Sequence, residues 1–312
     1  MKVRFLLVIV VLAALLAGCG QSATATATPA ATATATPAVP PTPTAVPISH
    51  VYAFGDSFSD NGNLKQLMPS GASWNLFWEG RFSNGPTAVE VLATRLNVEL
   101  DNYAVSGAKS DTSNVNPVSN TGYLGQIEKF KTELNGQNAD PDALYFVWVG
   151  ANDLLEKVSY NTPIDNPTLT DDVVNNIATG VTQLAQLGAR RFLVITCGEI
   201  AAMPGMIALE RSDQAAEFQA LVTSKLTDRL DKLTSQLKVE ITVFDHLALS
   251  AEIRENPSDY GLANVSDACQ PWYFGVEPAC DTPDQYYFWD ELHPTRRAHQ
   301  IFGEAWAALL GK

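Results

Sequence analysis

The 312-residue chain is poor in the residues that metal, redox and nucleic-acid chemistry draw on. It has four cysteines and four histidines. They form no Cys-x-x-Cys pair and no His-Glu-x-x-His motif, so no zinc site of either familiar spacing is written in the sequence. There is no Walker loop, and the Gly-x-Ser-x-Gly elbow of α/β-hydrolases is not present around Ser57. Basic residues are scarce: 20 Lys and Arg stand against 34 Asp and Glu, a formal net charge of −14. An acidic surface repels phosphate backbones, which excludes nucleic acid as a partner and reads simply as solubility. Neither a cofactor nor a metal is implied, and no internal repeat is visible.

The first residues carry an address. Lys2 and Arg4 open a basic start, Phe5 to Ala17 form an apolar run, and Leu16-Ala17-Gly18-Cys19 follows. The run is short for a membrane span and has the pattern of an export signal. A small-residue site ending in cysteine resembles a bacterial lipoprotein signal. That resemblance implies cleavage after residue 18, a lipid on Cys19 and tethering outside the cytoplasmic membrane. A plain signal peptide with an incidental cysteine is the alternative. Gln21 to Pro47 is almost entirely Ala, Thr and Pro, with no aromatic, and cannot bury a core. Residues 19–47 therefore read as a semi-rigid tether and 48–312 as the folded domain. In an exported chain, Cys269 and Cys280, flanking a loop-like stretch, are expected to form a disulfide. Cys197 ends an apolar run with no basic neighbour to activate it, and reads as a buried structural thiol.

Short apolar runs then alternate with helix-length amphipathic stretches. Strands are predicted over 51–54, 98–103, 143–149, 191–196 and 239–244. Helices are predicted over 86–96, 122–134, 171–187, 212–237 and 295–310, with Pro86 in a first turn and Gly188 as a stop. Near-continuous Val/Ile/Leu/Phe runs suit strands buried on both faces, and the alternation argues for an α/β fold with a parallel sheet between helical layers. Residues 253–290 read as a loop-rich insertion.

Four scattered segments supply chemistry: Gly55-Asp56-Ser57-Phe58-Ser59, Ala104-Val105-Ser106-Gly107-Ala108, Gly150-Ala151-Asn152-Asp153 and Asp290-Glu291-Leu292-His293-Pro294. The first three fall at the carboxyl ends of predicted strands, where ligands bind in such sheets. Ser57 is the candidate nucleophile, placed near a helix start whose N–H can serve an oxyanion. His293 is the candidate base, and Asp290, three residues earlier, reaches the same ring. The spacing of Glu291 points it elsewhere. The Gly107 N–H and the Asn152 amide are candidate oxyanion donors beside Ser57, and Asp153 holds the loop. Taken singly, Asp56-Ser57 reads as a helix cap, Gly107 as a turn glycine and Asn152 as a turn amide. Trp74, Phe77, Trp78 and Phe82 read equally well as an acyl-binding wall or as core.

Together these residues resemble the GDSL esterase/lipase family of SGNH hydrolases. The resemblance extends through Gly80-Arg81-Phe82-Ser83-Asn84-Gly85-Pro86, Leu187-Gly188-Ala189-Arg190-Arg191 and Phe288-Trp289-Asp290, and is similar to the subgroup of plant GDSL lipases and bacterial secreted phospholipase/acyltransferases. It implies a flavodoxin-like three-layer α/β/α fold, no metal, and hydrolysis of carboxylic esters through an acyl-serine, with acyl lipids or lysophospholipids favoured. A carbohydrate acetylesterase and a non-catalytic surface-binding lipoprotein are the alternatives. Two departures stand out: Phe58 replaces the usual Leu, and Thr196-Cys197-Gly198-Glu199 replaces Asn-Leu-Pro-Pro in a segment expected to line the site.

Overall fold

Five parallel strands form the centre of the computed structural model, which describes residues 47–70 and 73–312. The expected leader, Cys19 and, Pro47 apart, the tether lie outside the described residues. In chain order the elements are β1 (His50–Gly55), α1 (Asn63–Leu67), α2 (Ala88–Leu96), β2 (Glu99–Asn102), α3 (Tyr123–Glu133), β3 (Leu144–Trp148), α4 (Ala151–Ser159) and α5 (Asn166–Leu187). They continue as β4 (Arg191–Ile195), α6 (Pro204–Ala208), α7 (Ser212–Leu237), β5 (Glu240–Phe244), α8 (His246–Glu255), β6 (Asn264–Ala268), β7 (Tyr286–Phe288) and α9 (Arg296–Leu309).

The sheet order is β2-β1-β3-β4-β5, the flavodoxin-like arrangement. The chain runs left from β1 to β2, then crosses back to β3 and continues right. Right-handed crossovers therefore place α2 on one face and α3, α5 and α7 on the other. The packing agrees: α5 lies against α7 and α3, and α9 joins α2. All five residues of β3 are buried, as its unbroken apolar run requires, while β2 and β5 at the edges alternate with polar residues.

Helix ends follow from caps that periodicity does not register. The second helix begins at Ala88, two residues later than expected, because Glu90 accepts the Thr87 backbone N–H at 2.8 Å in a capping box. Helix α5 begins at Asn166, five residues earlier, because Asp165 caps it and Pro167 suits its first turn. It stops at Gly188 (φ 122°), as expected. The insertion is more ordered than a loop. It contains the parallel pair β6–β7 and a disulfide between Cys269 and Cys280.

Candidate active site

The site is built at the point where the strand order reverses, between β1 and β3. Strand β1 ends at Gly55, whose missing side chain is a steric need: a Cβ there would lie 2.3 Å from the Trp148 carbonyl oxygen. The Gln126 side chain closes this strand end, accepting the Gly55 N–H at 2.9 Å and donating to the Gly55 carbonyl at 2.7 Å.

Ser57 follows in a single tight turn, and here the expectation of a helix start fails. Ser59 and Asp60 donate back to the Asp56 carbonyl at 3.0 and 2.9 Å, and α1 begins only at Asn63. Asp56 is no helix cap either: its Oδ1 accepts the Phe58 N–H at 3.1 Å, an Asx turn. The turn is held by the fully buried Asp60, whose carboxylate accepts the N–H groups of Gly62, Asn63, Leu64 and Ser106 and the Ser106 hydroxyl at 2.6–3.1 Å. Burial outweighs those bonds and raises its pKa above the usual carboxylate value. Asp60 thus ties the Ser57 turn to the Gly107 loop. Its role was missed because one Asp in a polar stretch has no periodic signature.

His293 comes from the segment between β7 and α9. Its Nε2 lies 2.9 Å from the Ser57 Oγ, and its Nδ1 lies 2.9 and 2.8 Å from Asp290 Oδ1 and Oδ2. Asp290 Oδ1 also accepts the backbone N–H groups of Leu292 and His293 at 2.8 and 2.7 Å, which fixes the carboxylate in a turn of its own. Since an ionised carboxylate only accepts, Nδ1 holds the ring proton and Nε2 is left to accept from the serine hydroxyl. All three side chains are buried or nearly so, and the ring is flanked by Phe82 and Phe58, with centroids 4.9 and 6.0 Å away.

Gly107 adopts φ +82°, and a Cβ on it would lie 2.3 Å from Asn116 Nδ2, so the loop requires glycine twice over. Asn152 sits not in a turn but in the first turn of α4, a helix the sequence reading did not identify. Its amide donates to the Ala108 carbonyl at 3.0 Å, which orients the group with a second N–H to spare. Asp153 accepts the Ser110 N–H and hydroxyl at 3.0 and 2.8 Å, so it does hold the loop.

These residues open on one cavity of about 220 Å³. Ser57, Ser106, Gly107, Asn116, Asn152 and His293 form its polar side, and Leu64, Met68, Trp74, Phe82, Val115 and Trp272 much of its apolar side. The four predicted aromatics divide. Trp74 and Phe82 line the cavity, Phe77 is buried behind them, and Trp78 is 39% exposed beneath the Arg81 guanidinium. The segment 196–199 does not line it: the Thr196 hydroxyl accepts the His246 N–H, Gly198 abuts the Phe58 ring, and Glu199 is buried in an ion pair with Arg254 at 2.8 Å. Cys197 is buried, with its thiol pKa pushed up by desolvation.

The remaining histidines are placed elsewhere. His50 pairs with Asp101 at the sheet edge, and His246 and His299 are buried, their pKa values lowered by desolvation to about 3. Among the described residues no group of three His, Cys, Asp or Glu side chains has metal-site geometry.

A model of the GDSL-like lipase/acylhydrolase family matches residues 51–306, most of the chain. The chain belongs to that family. It is a carboxylic ester hydrolase of the serine type. A GDSL esterase/lipase of Arabidopsis thaliana is 26% identical to this GDSL hydrolase, over 81% of this chain and 80% of the relative. The thermolabile hemolysin of Vibrio parahaemolyticus is 26% identical over 82% of this chain, but only 62% of the hemolysin is spanned. The aryl esterase of M. smegmatis aligns in structure with a TM-score of 0.45 at 16% identity, covering 84% of this chain and 98% of the esterase.

Proposed function

We propose that Ser57, His293 and Asp290 are the catalytic triad of this ester hydrolase, and that the N–H groups of Ser57 and Gly107 and the Asn152 amide bind the oxyanion. The hydrogen-bonded chain from Ser57 Oγ through His293 to Asp290, at 2.8–2.9 Å per link, carries this reading. The Ser57 oxygen attacks the ester carbonyl while its proton passes to His293 Nε2. Asp290 stabilises the imidazolium that forms. The negative carbonyl oxygen rests on the three donors, each worth about 2.7–4 kcal/mol in the transition state. His293 returns the proton to the departing alcohol, leaving an acyl-serine. Water then attacks, again giving its proton to His293, and the acid leaves as the Ser57 oxygen recovers that proton.

Acyl lipids or lysophospholipids are the substrates this reading favours, because Leu64, Met68, Trp74 and Phe82 line the cavity alongside the polar groups. The enzyme works outside the cytoplasmic membrane, held there by a lipid on Cys19. The modest cavity volume favours, as a second reading, a carbohydrate acetylesterase. A panel of p-nitrophenyl esters from acetyl to long chains separates them: rising activity with chain length supports the first, and confinement to acetyl the second. In the same assay Ser57→Ala is expected to lower kcat by at least about 1,000-fold with an unchanged fold. Retained activity removes the mechanism, and absent wild-type activity returns the protein to the role of a binding lipoprotein.

A further inference from the structure

The segment 269–280 contributes two residues, Trp272 and Tyr273, to the cavity lining. Its ends are joined by the Cys269–Cys280 disulfide, and Cys280 donates to the Cys269 carbonyl at 2.7 Å. Gln270 donates to the Trp289 carbonyl at 2.6 Å, anchoring the segment beside Asp290. The neighbouring Glu291 then clamps it: both carboxylate oxygens accept the backbone N–H groups of Trp272 and Tyr273 at 3.1–3.2 Å. This is where Glu291 points, away from His293.

The clamp fixes one side chain with two neighbours of different kinds. The Trp272 ring lines the cavity that holds Ser57 and packs edge-on against Phe77, with centroids 5.6 Å apart. Its indole Nε1–H donates to Asp290 Oδ2 at 3.1 Å. Asp290 is wholly buried, so its oxygens depend on protein donors. Oδ1 has two backbone N–H groups, whereas the Oδ2 contacts among the described residues are His293 Nδ1 and the Trp272 indole.

We propose that Trp272 is a positioning residue, whose indole N–H holds Oδ2 and so sets the plane in which Asp290 meets the His293 ring. The inference rests on the reading of Asp290 as the triad carboxylate. A wall residue needs only apolar bulk. An N–H aimed at a buried carboxylate does separate work: without it, Oδ2 has the histidine alone and the carboxylate is free to turn about the bonds made by Oδ1. The sequence places tryptophan in a disulfide-closed segment 18 residues before the acid, where no local spacing links the two.

Trp272→Phe in the full chain tests this, since it keeps the aromatic wall and deletes the donor. With p-nitrophenyl acetate, kcat is expected to fall about 10-fold or more while KM changes less than about twofold, as for the loss of one bond to a charged acceptor. An unchanged kcat, with KM altered for long-chain esters, makes Trp272 a wall only and overturns the proposal. The second arm is the pair with Asp290→Asn. If the indole acts through Asp290, Trp272→Phe added to Asp290→Asn costs nothing further, whereas an undiminished second loss overturns the proposal. Full activity of Asp290→Asn alone would instead sink the triad reading beneath it. If Trp272→Phe does not fold, the indole proton resonance of Trp272 is to be followed by NMR. It is expected to shift in Asp290→Asn, and an unmoved resonance overturns the proposal.

Discussion

Asp56 precedes Ser57 and is wholly buried, with Oδ1 satisfied by the Phe58 N–H and Oδ2 without a partner among the described residues. Desolvation raises its pKa to about 7, against the lowering effects of the Phe58 bond and the nearby His293. The folded protein keeps this proton up to about pH 7, whereas the unfolded chain releases it near the ordinary carboxylate value of 3.8. The native state therefore binds more protons between those values. Its contribution to stability is complete below about pH 4 and is lost as pH rises through 7. Asp153, raised to about 6 chiefly by burial, has the same sign. Asp56→Asn keeps an acceptor for Phe58 and removes the ionisation. Measured by urea unfolding, the variant is expected to gain roughly 1–3 kcal/mol relative to wild type between pH 5 and pH 8. A difference that does not change with pH would show that Asp56 is not buried as a neutral acid. This residue was legible in sequence only as part of a motif around Ser57. Its burial was not, because that is decided by groups distant in sequence, among them Asp153, Cys197 and His293.

Among elements, the strands and long helices were readable wherever side-chain periodicity alone decides them. The 143–149 run became the fully buried β3, and α7 runs over Ser212–Leu237 as expected. Short elements were not. Helix α4 is nine residues long and follows β3 closely, with only Val149 and Gly150, the latter at φ 122°, between them. Strands β6 and β7 have five and three residues, and their pairing bridges a disulfide-closed loop. Such elements exist because tertiary contacts support them, not because their own pattern demands it. The same holds for the α3–β1 junction. Gln126 lies on the buried face of a helix and takes up both backbone groups of Gly55, a contact between residues 71 apart. Gln126→Ala is expected to cost about 1–3 kcal/mol in chemical denaturation, since it leaves the buried Gly55 N–H to find a new partner, while the Gly55 carbonyl keeps the Val105 N–H at 3.2 Å. A cost below about 0.5 kcal/mol would mean that water replaces the side chain freely.

Over the whole molecule, the fold brings together groups that the sequence spreads over 236 positions: Ser57 after β1, Gly107 after β2, Asn152 after β3 and His293 before α9. The candidate site was legible because each segment keeps its chemistry locally, and because three of them follow strands of a parallel sheet, whose carboxyl ends meet at one edge. The supports were illegible. Asp60, Gln126 and Glu291 hold backbone atoms and Trp272 holds the Asp290 carboxylate across the fold, and nothing in their immediate sequence marks that. In the proposed mechanism Ser57 is made nucleophilic by its place beside His293. Mass-spectrometric mapping of the intact protein after brief exposure to a fluorophosphonate tests it directly. A single covalent adduct on Ser57 is expected, lost when His293 is replaced by Ala. An adduct on another serine in a protein that still cleaves esters, or undiminished labelling of Ser57 in His293→Ala, would contradict it.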